Sequence, residues 1–340
     1  MNRISFHYFA DARRTLYDTE YQNMLPLMKK AGVDTLWMLV YNAGKYAAEK
    51  EEILRAKAVL EEKGFRVNAL SLPVGHPGNA LNPEDESLDL ELPPAWRYRV
   101  LPDGNKEYFC ACIEEKMIAD NREVVEFCRD AGFAQLFFDD DLRMGAHGDK
   151  IRGCYCKHCL QSFSQLTGKK ITREEIARAC EEKNELSEKW VQYNCDKITG
   201  FMKATAVSGI QTGIMVMHHG DRRHGIDIPA IRRAVPDCLF RVGEGHFQDQ
   251  SFERDADHAE EVGGIRAHME LIGNPEFCYS ETTVFPPNAL SAENLVKKAE
   301  LAIREGIRQI FLMSGTWLMT EPYWEALAAR REMLEALAAE

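Results

Sequence analysis

The sequence has no run approaching the ~20 consecutive apolar residues that a membrane helix requires. Its start, Met1 to Asp11, lacks the apolar core of a secretory leader. A cytoplasmic protein with no membrane partner is the expectation. Positive charge is in deficit, with 42 Lys and Arg against 54 Asp and Glu and a formal net charge of −12. That sign is wrong for gripping a phosphate backbone, so nucleic acid is not an expected partner. No Gly-x-Gly-x-x-Gly follows the first apolar run, which removes the main support for a doubly wound dinucleotide fold. Low-complexity tracts and linker-like stretches are missing too. What remains is ordinary globular composition, 45% hydrophobic and 28% charged over 340 residues, enough apolar surface for a full core. A length above the usual domain size still suits one large α/β barrel, so residues 1–340 are read as a single domain.

A recurring punctuation carries the fold: a charged helical stretch, a glycine, then a short apolar run. It occurs at Gly32, Gly64 and Gly132, and again around Gly209, Gly273 and Gly306, while Pro236-Asp237 stops the helix before Leu239. A helix often ends on a left-handed residue, which costs glycine nothing, and the apolar run beyond it is then free to be a buried strand. Eight strands follow, roughly Ile4–Phe9, Thr35–Tyr41, Val67–Leu72, Gln135–Asp139, Gly213–Met217, Leu239–Val242, Phe277–Ser280 and Gln309–Met313. Amphipathic stretches such as Glu49–Glu62, Glu185–Ala206 and Ala292–Arg304 fill the gaps. Strands alternating with helices force parallel neighbours and right-handed crossovers, and eight units close into a (β/α)₈ TIM barrel.

Two insertions interrupt the alternation. The first, about 73–112 after strand three, is proline-rich and then carries alternating aromatic runs either side of Asp103-Gly104, a hairpin signal. Following a barrel strand, it would hang over the C-terminal mouth as a lid. The second, about 143–206 after strand four, contains a cysteine cluster and more than one helix.

Ten cysteines in a reducing compartment are expected as thiols, so a cluster of them points to metal rather than disulfides. Cys154, Cys156 and Cys159 fall within six residues and supply three corners of a zinc tetrahedron. The fourth corner is open between Cys110 and Cys112, with His158 a poorer option; Cys112 is carried forward. Four protein ligands leave no position for water, so the zinc would be structural, stapling the lid to the loop after strand four. Cys128, Cys180, Cys195, Cys238 and Cys278 read as buried helix or strand thiols, and Met215 and Met217 as core filling.

Strand four ends in Asp139-Asp140-Asp141, and three successive carboxylates are costly unless protons, cations or partners relieve them. Strand seven ends in Glu281 and is expected to face strand four across the barrel. A carboxyl on each side of a pocket is the minimum equipment for glycosidic cleavage: one protonates the leaving oxygen, the other attacks the anomeric carbon or activates water. His76, His218, His219, Arg241, Glu244 and Trp317 fall at the same mouth, an assortment of hydrogen-bonding groups and an aromatic face that suits a carbohydrate.

These residues together resemble the clan of (β/α)₈ glycoside hydrolases that includes the zinc-containing β-galactosidases of family 42. In that family strand four ends in hydrophobic-Asp-Asn-Glu, followed by Cys-x-Cys-x-x-Cys with a fourth zinc ligand upstream. Here Phe138-Asp139-Asp140-Asp141 precedes Cys154-Tyr-Cys156-Lys-His-Cys159. The resemblance covers mainly residues 105–165, the barrel layout and Glu281. It implies Asp141 as acid/base and Glu281 as nucleophile, with Asp139, Asp140, His76, His219, Arg241, Glu244 and Trp317 around the sugar and no cofactor needed for catalysis. It also leaves room for a homo-oligomer. Two departures stand out. Asp140 replaces the Asn that binds the sugar 2-hydroxyl, and Asp141 is one methylene shorter than Glu, which opens the choice between retention and inversion. With the eighth helix running from Pro322 to Glu340, the chain reads as a compact, divergent relative. The same residues leave two other readings. One is a metal-dependent sugar isomerase or epimerase that uses Asp139, Asp141, His219, Glu244 and Glu281 around a divalent ion. The other is a non-catalytic sugar-binding barrel.

Overall fold

The computed structural model describes residues 3–75, 90–139, 142, 144, 151, 153–216, 220–315 and 317–339. Eight parallel strands form a ring: β1 Ser5–Ala10, β2 Val33–Asn42, β3 Arg66–Leu72, β4 Gln135–Phe138, β5 Gln211–Val216, β6 Leu239–Val242, β7 Cys278–Tyr279 and β8 Gln309–Met313. Each pairs with the next in sequence, and β8 returns to β1, which closes the barrel. The (β/α)₈ expectation is met because the junctions behave as steric reasoning requires. Gly32, Gly64, Gly132, Gly209, Gly273 and Gly306 all have positive φ, between 68° and 100°. Each lies at a helix end or a few residues past it, where a side chain would be strained. The helices Lys50–Glu62, Glu185–Thr205 and Ala292–Arg304 begin and end within a residue of the expected positions.

Period-two alternation along the strands divides the apolar residues into two populations. Phe9, Trp37, Leu39, Leu70, Leu72, Phe137, Leu239, Tyr279, Phe311 and Met313 fill the barrel itself. Trp37 stacks on Phe311 with centroids 5.5 Å apart, and Phe137 meets Tyr279 edge-on at 5.1 Å. Gly213 makes room for this packing, since a Cβ there would lie 2.5 Å from the Phe137 ring. The larger cluster lies between strands and helices.

Inside the N-terminal end of the barrel the buried hydrogen-bonding groups are neutral, with the Arg66–Asp34 ion pair more exposed beside them. Trp37 Nε1 donates to His7 Nδ1 at 3.0 Å, and His7 Nε2 meets Gln309 Oε1 at 2.8 Å. Because an indole can only donate, the His7 proton sits on Nε2. Burial pushes the imidazole pKa down to about 4, so it is neutral there. Asn68 donates to Gln135 at 2.8 Å and Gln135 to Gln211 at 2.9 Å, continuing the ladder.

The expected Asp-Gly hairpin is present: Tyr98–Val100 pairs antiparallel with Lys106–Ala111, with Gly104 in the left-handed region at φ 94°. Ala111 N–H donates to the Val74 carbonyl and Tyr155 N–H to the Val100 carbonyl. The hairpin is thereby tied both to the segment after β3 and to the cysteine loop. Three expectations need correction. β4 and β7 are three positions apart around the ring, with β5 and β6 between them, rather than diametrically opposed. Cys238 lies one residue before β6, and Cys180 is only half-buried because the outer face of its helix is open to solvent. Among the described residues, no helix is long and apolar enough to cross a membrane.

Candidate active site and metal centre

The alternation that turns Phe137, Leu239 and Tyr279 into the barrel also turns inward the residues two positions on: Asp139, Arg241 and Glu281. The three meet at the C-terminal mouth. Arg241 Nη2 lies 2.7 Å from Asp139 Oδ1 and 3.5 Å from Glu281 Oε1, with all three side chains at most 5% exposed. One guanidinium on β6 thus bridges the carboxylates that follow β4 and β7. Burying either carboxylate alone would be prohibitive; a shared cation makes the arrangement tolerable. Met215, expected as core filling, instead places Sδ 2.8 Å from Arg241 Nη2, and the guanidinium lies over the Phe311 ring at 5.4 Å. Glu281 owes its position to a break in β7. Ser280 donates its N–H to the Gln309 carbonyl and accepts from Phe311 N–H through Oγ, and pairing with β8 resumes only at Thr282.

Behind this layer is a second buried charge cluster. Glu244, just past β6, has a fully buried side chain 4.0 Å from Lys298 Nζ, and Lys298 is also 2.8 Å from Glu261. Lys298 donates to the Gly245 and His246 carbonyls as well, fixing two successive left-handed residues with φ of 75° and 52°. Burial raises the Glu244 pKa well above the ordinary carboxylate value, against the pull of Lys298 and with further push from Glu261 and Glu281. Burial likewise raises Glu261 to about 7, with Lys298 opposing.

At the rim Trp317 is half-buried and packs at a tilt against Phe285, centroids 5.6 Å apart. Asp140, Asp141, His76, Met217, His218 and His219 lie outside the described residues. Five described residues were missed by sequence reasoning: Met215, Phe285, Glu261, Lys298 and Lys197. Two had a readable signal. Lys298 occupies the apolar stripe of its helix with Leu295, Ala299 and Ala302, and Glu261 shares one with Ile265, His268 and Ile272. A charge on a buried stripe asks for a partner.

The cysteine cluster resolves in favour of Cys112. The sulfurs of Cys112, Cys154, Cys156 and Cys159 are buried and all within 4.8 Å of one another. Cys112 Sγ is 3.5 Å from Cys159 Sγ and 3.9 Å from Cys156 Sγ. Four sulfurs at ~2.3 Å from a tetrahedral ion would stand ~3.8 Å apart, so donor chemistry and spacing both fit a tetrathiolate metal site. Cys110 is buried with its sulfur toward the Ala111 carbonyl, and His158 is exposed. Cys156 occupies the N-cap position of the helix Lys157–Thr167 without a side-chain capping bond, and Cys159 lies in its first turn, where the helix dipole favours thiolate. Gly153 lets the loop pass beneath Trp190 and Asn194, whose atoms a Cβ would approach to 2.7 Å. Without a cation the four sulfurs would have to share protons. Hydrogen bonding from Cys112 pushes Cys159 down to about 7, and hydrogen bonding from Cys154 pushes Cys112 well above the ordinary thiol value.

The fold and mouth together define a (β/α)₈ barrel with paired carboxylates at the strand ends where this architecture carries its chemistry. No known protein family matches the chain, and no curated protein does. Among solved structures it is similar to a β-galactosidase from the psychrophilic Marinomonas ef1, at 9% identity and a TM-score of 0.63, over 99% of this chain and 62% of that one. It is also similar to the N-acetylneuraminic acid (sialic acid) synthetase of Leptospira borgpetersenii serovar Hardjo-bovis, at 8% identity and a TM-score of 0.46, over 99% and 86%. A third is a pneumococcal exo-β-D-N-acetylglucosaminidase with tandem GH20 catalytic modules, at 9% identity and a TM-score of 0.44, over 99% and 84%. The first likeness supports the barrel fold, and the two weaker ones add nothing to it. The chain spans 62% of the length of the β-galactosidase.

Proposed function

We propose that the chain is a glycoside hydrolase working through two carboxylates, Glu281 as nucleophile and Asp141 as acid/base. Asp139, Asp140, His76, His219, Arg241, Glu244 and Trp317 shape the sugar site, Glu244 from behind through its buried carboxyl. The observation that carries this reading is the Arg241 bridge between Asp139 and Glu281. It ties the end of β7 to the same strand end that continues, two residues on, to Asp141. In the reaction Asp141 gives its proton to the leaving oxygen as Glu281 attacks the anomeric carbon, and the aspartate then deprotonates the water that releases the sugar. If the shorter Asp141 leaves room for water between the carboxyls, Glu281 activates that water and configuration inverts. Residues 73–112 act as a lid in one domain with the barrel. Cys112, Cys154, Cys156 and Cys159 would hold a zinc ion that would cross-link the base of that lid and supply no chemistry, since four thiolates would fill its shell. The divalent-ion isomerase reading asks Asp139, Glu281 and Glu244 to ligate a cation, yet Arg241 and Lys298 already engage them.

The test is a screen of nitrophenyl glycosides, following the anomer first released by NMR. Turnover of at least one aryl glycoside, with a single anomer released first, is expected. No hydrolysis of any of them, with calorimetric binding of an oligosaccharide retained, would make the barrel a carbohydrate binder.

A further inference from the structure

The helix Glu185–Thr205 crosses the cysteine loop, packing Trp190 and Asn194 over Gly153. One turn further along the same face is Lys197. Its Nζ lies 3.1 Å from Cys159 Sγ and 3.9 Å from Cys112 Sγ, and 5.7 Å from the Tyr193 ring. Among the described residues, no carboxylate forms an ion pair with it. A lysine whose anionic neighbours are sulfurs is unusual, because an ammonium gains little from a neutral thiol. It gains a great deal from a thiolate. Zinc on four thiolates carries a net charge of −2, and a buried dianion is expensive unless compensated.

We infer that Lys197 is the charge-compensating residue of the metal centre. Its ammonium donates an N–H···S hydrogen bond to the Cys159 thiolate, lowers the net charge of the filled site to −1 and so sets the metal affinity. It is a positioning residue for Cys159 and is not itself a ligand. The inference rests on the tetrathiolate metal reading above and concerns a residue outside the cysteine motif.

The experiment compares wild type, Lys197→Arg and Lys197→Met. Zinc affinity is measured by competition with a chromophoric chelator, and the sulfur-to-metal charge-transfer band is recorded after cobalt substitution. Lys197→Met should bind zinc at least ~10-fold more weakly with a shifted cobalt band, as expected for loss of an outer-shell partner. Lys197→Arg should keep most of the affinity. A Lys197→Met protein with wild-type affinity and an unshifted band would overturn the inference. If Lys197→Met does not fold, Lys197→Gln takes its place with the same two outcomes. Wild type that shows no thiolate-to-cobalt band would instead remove the metal reading itself, and the inference with it.

Discussion

The two ends of the barrel differ in what they bury, since the Arg66–Asp34 ion pair at the N-terminal end lies more exposed than the charges at the other. At the N-terminal end His7, Asn68, Gln135, Gln211 and Gln309 hydrogen-bond one another as neutral groups. At the C-terminal end Asp139, Arg241 and Glu281 are buried at close range, with Glu244, Lys298 and Glu261 behind them. Amides can be satisfied locally and carry no desolvated charge, so the first arrangement is economical for stability alone. Buried ion pairs are no better for stability than packed hydrocarbon of similar volume. Keeping them at one end, where the strand ends open, is what the proposed function requires and not what stability alone would select.

The sharpest way to break this contrast is to remove the bridging cation. Arg241→Leu leaves Asp139 and Glu281 buried without their shared partner, and should cost about 3–5 kcal/mol of stability. Denaturant unfolding at neutral pH checks it, and a loss under about 1 kcal/mol would mean that the carboxylates are relieved in another way.

The neutral end should reveal itself through pH. His7 has a folded pKa near 4 against 6.5 for the free imidazole, so between those values the unfolded chain binds a proton that the folded chain does not. Its contribution to stability is complete above pH 6.5 and falls away as pH drops towards 4, by about 3 kcal/mol in all. His7→Gln should flatten the unfolding free energy over that window relative to wild type. An unchanged slope would place the acid sensitivity elsewhere.

Much of this contrast is legible in the sequence, and the reasons are local. The junction glycines mark the helix ends because their constraint is steric and short-range, which is why the strands fall within a few residues of expectation. Glu281 and Arg241 are readable from strand alternation alone. The fourth metal ligand is not, because Cys110 and Cys112 differ only in how they leave the end of the hairpin, and tertiary docking decides that. Nor is Met215 as a guanidinium partner, since a thioether in a strand looks like filling until its neighbour in the barrel is known. Lys298 and Glu261 were visible as charges on apolar stripes, but their pairing joins two separate helices.

Under the proposed mechanism Glu281 serves chemistry rather than the stability of the barrel, and every step at the mouth depends on that. Glu281→Gln keeps the shape and a hydrogen-bond acceptor for Arg241, so the pair of measurements that matters is turnover of the best aryl glycoside and thermal unfolding of the same preparation. The expected result is a fall in kcat of at least ~10³-fold with unfolding close to wild type. A Glu281→Gln protein that still turns over, or one whose lost activity follows lost stability, would contradict that role.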